Sequence, residues 1–248
     1  MERLKLWLWR LGSLAAILVA WEGIVRLGWV DPLFIPPPSA VAGVLRATLD
    51  IALSRLGETL LKTVVAYFLA TILGVTLGLI IGSFRSLYQV FNPFLVVLYS
   101  LPKILILPWV MLIFGIGITP ALVYATLHGV FPVALLVMGG VRDVDPHMVT
   151  VARSLGATAG QIYRKVILPA VLPSVLAGLR IGIVFCLLGV LLVEMFVGVR
   201  GMGFLMSSLA NGFKAAELFA ATAIVSVLSI AIVLALEALN RRLGRWRV

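Results

Sequence analysis

The stretch DPHMVTVARSLGATAGQIYRKVILP, residues 145–169, decides how this chain is read. It is a basic passage set between long apolar runs, and it carries its own helix punctuation. Asp145 can cap a helix that Pro146 opens, because proline at the first helical position gives up an N–H that has no intrahelical partner anyway. That helix is expected to run to Leu155, with Gly156 ending it in a left-handed conformation. Thr158 and Gln161 have the spacing of a capping box. They open a second helix through Ile162, Val166 and Ile167, expected to stop near Pro169. Two short helices with an apolar side and an Arg/Lys side make a compact knob, the form of a docking element for a soluble partner. The whole passage 142–173 is longer than a mere connection between packed helices needs to be.

Around that passage the chain is apolar. Of 248 residues, 62% are hydrophobic and only 12% charged, and the mean hydropathy is +1.16. A soluble domain averages about 45–50% apolar and about 25% charged. So few charges cannot cover a water-facing surface, so lipid is the solvent and helices must satisfy their own backbone groups. Six segments have the length of a span: 6–30, 59–81, 93–114, 121–138, 175–197 and 216–239. Pro36, Pro37 and Pro38 forbid a helix after the first. Residues 39–56 then read as an amphipathic helix at the membrane surface, with Ser39 as its N-cap. The expected fold is all-α, a polytopic membrane protein with six transmembrane helices. A region 1–58 (first helix, proline-rich external loop, amphipathic helix) precedes a five-helix core, 59–248, that holds the 142–173 loop.

The net charge of +10 would suggest nucleic acid in a soluble protein. Here the basic residues gather at Arg3, Lys5 and Arg10, at Arg142, Arg153, Arg164, Lys165 and Arg180, and at Arg241, Arg242, Arg245 and Arg247. These positions lie between or beyond the apolar runs, and no basic-aromatic surface module accompanies them, which excludes nucleic acid as a partner. Placing both termini and the 142–173 loop in the cytoplasm satisfies the positive-inside rule. The other side then keeps the near-balanced set Asp31, Arg46, Asp50, Arg55, Glu58, Arg200, Lys214 and Glu217. Residues 1–21 resemble a signal peptide in charge and apolarity but lack a small-residue cleavage site, so they read as an uncleaved first membrane helix. Glu22 and Arg26 can pair on one face of it. The single cysteine, Cys186, supports neither a disulfide nor a metal site. Gly74, Gly78 and Gly82 let helix backbones approach closely, either within the chain or between subunits.

Ionisable groups at membrane depth mark candidate sites. Lys103 falls mid-span if the third helix is continuous, where it can attract an anionic solute; if Pro102 restarts the helix, it falls near the cytoplasmic edge. His128 can hydrogen-bond a solute, sense protonation, or simply bond a neighbouring helix. Glu194 can pair with Lys103 or Arg200, or line a gate. Tyr99 and Ser100, just before Pro102, can line a path, although tyrosine is also at home packed or at the interface. Residues 199–213, rich in glycine, suit a re-entrant or surface loop rather than a span.

The loop also resembles the coupling loop of the inner-membrane permeases of binding-protein-dependent ATP-binding-cassette importers. That family reads Glu-Ala-Ala, three residues, Gly, nine residues, Ile-x-Leu-Pro. This chain has Thr150-Val151-Ala152, then Arg153-Ser154-Leu155, Gly156, and Val166-Ile167-Leu168-Pro169. Thr150 stands where the family has Glu, and Val151 where it has Ala. Ile35 to Ser39, Leu101-Pro102-Lys103, Phe114 to Gly117, His128 to Pro132, Ala152 to Ala157, Glu194-Met195 and Gly201-Met202-Gly203 look like the nitrate/sulfonate/taurine subgroup. The resemblance implies a bacterial plasma (inner) membrane location and a non-catalytic subunit without cofactor or metal. Its implied partners are a second permease chain, as a homodimer, two cytoplasmic ATP-binding subunits and a periplasmic or lipid-anchored solute-binding protein. It implies ATPase-coupling roles for Ala152, Arg153, Leu155, Gly156, Ala157, Leu168 and Pro169. The implied solute is a small anion such as a sulfonate, nitrate or aromatic acid; the alternative is a neutral or cationic heterocycle such as a pyrimidine precursor.

The chain lacks a Gly-x-x-x-x-Gly-Lys-Ser/Thr phosphate loop, so ATP must be used on another subunit. A self-sufficient secondary transporter would want internal repeats or coupling-ion ligands, and leaves the 156–169 motif unexplained. A membrane-embedded enzyme would want clustered acid–base or metal residues, whereas the two histidines, His128 and His147, are far apart in sequence.

Overall fold

The computed structural model describes residues 2–198 and 200–243 and is helical along its length. Arg245, Arg247 and Val199, read above, lie outside the described residues. The helices are α1 (Glu2–Arg26), α2 (Pro38–Ser83), α3 (Arg85–Ser100), α4 (Leu107–Phe114), α5 (Ile118–Arg142), α6 (Pro146–Ser154), α7 (Ala159–Ile162), α8 (Leu168–Val197), α9 (Met202–Asn211) and α10 (Ala215–Leu243). Among the described residues, four helices are long and apolar enough to cross a membrane, or five if the bent pair α3/α4 counts as one span.

α5 is the central helix, gripped between α2 and α8. The glycines of α2 make that grip possible: a Cβ on Gly78 would lie 2.7 Å from Val137 Cβ and 2.7 Å from the Ala134 carbonyl. Gly74 and Gly82 meet Val133 and Val141, one turn above and below. The small-residue stripe therefore serves packing within the chain.

α2 differs from expectation. The surface helix 39–56 and the span from 59 are one helix of 46 residues, about 70 Å long at 1.5 Å per residue. The expected region boundary at 58/59 falls inside it. Its buried residues, Thr48, Ala52, Leu56, Thr59, Thr63, Ala66, Ala70, Gly74, Gly78 and Gly82, form one unbroken stripe at helical spacing. Gly57 does not interrupt it, since a lone glycine costs only about 1 kcal/mol in a helix and Ala52 and Leu56 are anchored on Met202 and Ala221. Nor does Ser39 cap it. Pro37 is the N-cap, and the Ser39 N–H and hydroxyl donate to Glu22 Oε2 and Oε1 at 3.0 and 2.7 Å. Glu22 also takes the expected bond from Arg26 Nε, at 2.6 Å. A carboxylate from α1 thus occupies the positive end of α2.

The third span is broken as well. Leu101 and Pro102 are extended, Lys103–Ile106 forms a 3₁₀ turn, and α4 leaves at 90° to α3. Proline removes the N–H and biases its predecessor away from helix.

The 142–173 loop folds as its punctuation requires. Asp145 accepts from the His147 N–H at 2.8 Å, Pro146 is the first residue of α6, and Gly156 turns at φ +80°. Thr158 and Gln161 form both halves of the capping box. The second helix, however, does not stop at Pro169. It passes through a π-helical turn, Tyr163–Ile167, directly into α8. The wide turn accommodates the carbonyl that would otherwise clash with the Pro169 ring.

Candidate functional site

Three sites follow from this frame. At one end of the bundle, the knob exposes its apolar side chains: α6 buries none, and Leu155, Val151 and Met148 are open, Leu155 by 81%. Gly156 reverses the chain so that α6 and α7 pack side by side. An apolar tip flanked by Arg153, Arg164 and Lys165 is left without cover by its own chain.

In the middle of the bundle lies an aromatic and basic cluster. The break at Pro102 returns Lys103 toward α3, where its Nζ donates to the Tyr99 carbonyl at 2.9 Å. The ammonium also lies 4.9 Å from the Tyr99 ring and 5.8 Å from the Phe131 ring, within reach of cation–π attraction. Phe131 is thirteen residues into α5, about 20 Å along it, so Lys103 lies mid-bundle although the helix does restart. It is buried, and no carboxylate pairs with it among the described residues. The rings of Tyr99, Phe185, His128 and Tyr124 continue the cluster with centroid separations of 6.2, 5.9 and 5.1 Å. The His128 Nδ1 and Tyr124 hydroxyl are buried without hydrogen-bond partners, so the histidine does not make the interhelical bond expected of it there. Tyr99, Lys103 and His128 are thus brought together. Ser100 is turned away, its hydroxyl donating to the Val96 carbonyl at 2.9 Å.

At the end far from the loop sits Glu194, near the last turn of α8 and almost wholly buried. It pairs with neither Lys103 nor Arg200. Lys62 Nζ reaches its Oε1 at 2.8 Å, while the Thr59 hydroxyl and Gly203 N–H donate to Oε2 at 2.8 and 3.0 Å. Met202 N–H in turn donates to Thr59 Oγ1 at 2.9 Å. Thr59 and Glu194 therefore satisfy the free N–H groups at the start of α9, and the carboxylate meets the positive end of that helix. The glycine-rich segment around α9 is ordered by this contact. A Cβ on Gly201, whose φ is +112°, would collide with the Glu194 carboxylate. Arg200 instead approaches Glu58, at 3.9 Å.

Beside this hub opens a cavity of about 460 Å³ lined by Glu58, Lys62, Glu194 and Arg200 and by apolar residues of α2, α5 and α8. Sequence reading missed Lys62 and Thr59. Lys62 was discoverable: it is a cation three residues inside a drawn span, with Glu58 four residues before it. Thr59 carried no such signal. No group of residues suited to holding a metal ion occurs among the described residues.

Residues 74–247 match the family described as binding-protein-dependent transport system inner membrane component. Among its relatives, the taurine transport system permease protein TauC of Escherichia coli K12 is 31% identical, the match covering 99% of this chain and 94% of the relative. The putative aliphatic sulfonates transport permease protein SsuC of Bacillus subtilis is 27% identical over 96% and 88%. The formylaminopyrimidine transport permease protein ThiX of Halalkalibacterium halodurans is 27% identical over 93% and 92%. In fold, the chain resembles a chain of the inward-facing MetNI methionine ABC transporter, with a TM-score of 0.68 and 24% identity over 77% of this chain and 94% of that one. The chain belongs to the binding-protein-dependent transport system inner membrane components and is a multi-pass permease of an ATP-binding-cassette importer.

Proposed function

We propose that this permease forms one half of the translocation path for a small organic anion, a sulfonate foremost, and is driven through its 142–173 knob by a separate ATP-binding subunit. The observation that carries the coupling role is the capped, rigid knob whose apolar tip, Leu155, stays in solvent. A knob continuous with α8 through Pro169 transmits a push directly to the helix that carries Glu194. Ala152, Arg153, Leu155, Gly156 and Ala157 supply the contact, and Leu168 and Pro169 the joint. The assembly is two permease chains on two ATP-binding subunits, with a binding protein delivering solute to the opposite face. Six spans with both termini cytoplasmic put α1 in the membrane with the others and keep the loop beside the ATP-binding subunits.

Tyr99, Lys103 and His128 form the mid-membrane part of the path. Lys103 without a carboxylate favours an anion, in keeping with the taurine and sulfonate permeases among the relatives. The likeness to a formylaminopyrimidine permease favours a second reading, a neutral or cationic heterocycle held on the Tyr99, Phe185 and His128 rings. The test is the intact mass of the complex purified from its own membrane in mild detergent. Two permease chains with two ATP-hydrolysing subunits is the expected result. A lone chain or ATPase-free oligomer, in detergents that preserve such complexes, overturns it.

A further inference from the structure

The cavity far from the loop is lined by a balanced set of charges. Four charged residues line it, two of each sign, between apolar walls that include Leu61, Val65 and Leu122. They are held unequally. Glu194 keeps Thr59 Oγ1, Gly203 N–H and the positive end of α9 even if Lys62 leaves, so it remains a stabilised carboxylate. Lys62 is the displaceable partner: its other contact is the Arg200 carbonyl, at 3.5 Å. Arg200 and Glu58 are looser still, 3.9 Å apart with side chains 72% and 39% exposed. Glu58 and Lys62 sit one turn apart on the same face of α2, where side-chain origins are about 6 Å from each other.

We propose that this cavity is a binding site for a small zwitterion: an oxyanion and an ammonium joined by a short aliphatic spacer. This rests on the importer reading and assigns its solute a first site. The oxyanion draws Lys62 from Glu194 and engages Arg200. The ammonium takes Glu58, and the spacer lies against Leu61 and Val65. The lining charges sum to zero, so a guest carrying both signs leaves the balance of the site unchanged: Arg200 and Glu58 each regain an opposite charge, and Glu194 keeps the Thr59 hydroxyl and the Gly203 N–H. A monoanion takes Arg200 from Glu58 and leaves that carboxylate without a cation, and selectivity follows from the uncompensated charge.

The experiment is calorimetric titration of the full chain, copurified with its ATP-binding subunit in nanodiscs, using three probes: taurine, ethanesulfonate and ethylammonium. Taurine is expected to bind about tenfold more tightly than ethanesulfonate, the worth of one charge-assisted contact, and ethylammonium not to bind. Glu58→Gln should abolish the taurine advantage, weakening taurine and strengthening ethanesulfonate, which then strands no carboxylate. Lys62→Met should abolish binding of both sulfonates, and Lys62→Arg should restore it, which separates lost contact from lost fold. Equal binding of taurine and ethanesulfonate by the unmodified chain overturns the proposal. So does a persistent taurine advantage in Glu58→Gln, or no binding of any probe by a complex that hydrolyses ATP. Failure to copurify any ATP-binding subunit would instead overturn the importer reading.

Discussion

Glu194 shows how one side chain can hold three helices. Its carboxylate takes a cation and a hydroxyl from α2 and a backbone N–H from α9, while its own backbone belongs to α8. Removing one partner of a buried ion pair leaves the other uncompensated, at a cost of about 3–5 kcal/mol. Glu194→Ala also strips the first turn of α9, so it should lower the melting temperature of the detergent-purified chain more than Thr59→Val does. Thr59→Val leaves the ion pair whole and should cost about 1–3 kcal/mol, the penalty of an unpaired buried donor. Gly201→Ala belongs with the severe group, because the new methyl would collide with the same carboxylate in a backbone region hostile to side chains. Differential scanning fluorimetry ranks all three, and equal shifts for Glu194→Ala and Thr59→Val would remove Glu194 from the centre of the contact.

At the scale of elements, the knob and the long helix make opposite demands. Leu155 touches little of its own chain, so Leu155→Glu should leave the stability of the chain within about 0.5 kcal/mol of the original, as exposed substitutions do. In the intact complex it should abolish ATP-dependent uptake in proteoliposomes while ATP hydrolysis continues. Gly156→Pro should do the same by removing the reversal, since proline cannot adopt φ +80°. Uptake surviving both changes would end the docking role. Gly78→Leu, by contrast, drives a side chain into Val137 and the Ala134 carbonyl and should prevent α2 and α5 from closing. The knob was legible in the sequence because caps are local: Asp145, Gly156, Thr158 and Gln161 act within a few residues of themselves. The unity of α2 was not legible. Its buried stripe is built mostly of Thr, Ala and Gly, with Leu56 and Ile81 the exceptions, so a search for apolar periodicity passes over it, and its apolar face points to lipid instead. The partner of Glu194 was hidden for a different reason. The pairing joins residues 132 positions apart, and nothing near either residue announces the other.

The orientation of the whole molecule is the property that ties these sites to a direction of transport. α5 carries His128 and Phe131 along the 25 residues between the Glu194 cavity and the knob, about 37 Å, more than the hydrocarbon core is thick. In the proposed topology the cavity and the knob face opposite compartments. In that proposal the basic residues at the N-terminus and in the 142–173 loop mark the cytoplasmic side. The chain supplies a convenient instrument, because its single cysteine, Cys186, is fully buried. Asp31→Cys, in the turn before α2, should react with a membrane-impermeant maleimide on intact spheroplasts. Gly160→Cys, on the knob with open space around it, should react only after the membrane is permeabilised. Both substitutions sit on the surface and should leave uptake intact, so labelling reads the native orientation. Labelling of both positions on sealed spheroplasts would place cavity and knob on one side. That outcome is incompatible with α5 crossing the bilayer, and with a knob that is pushed from one compartment while solute arrives from the other.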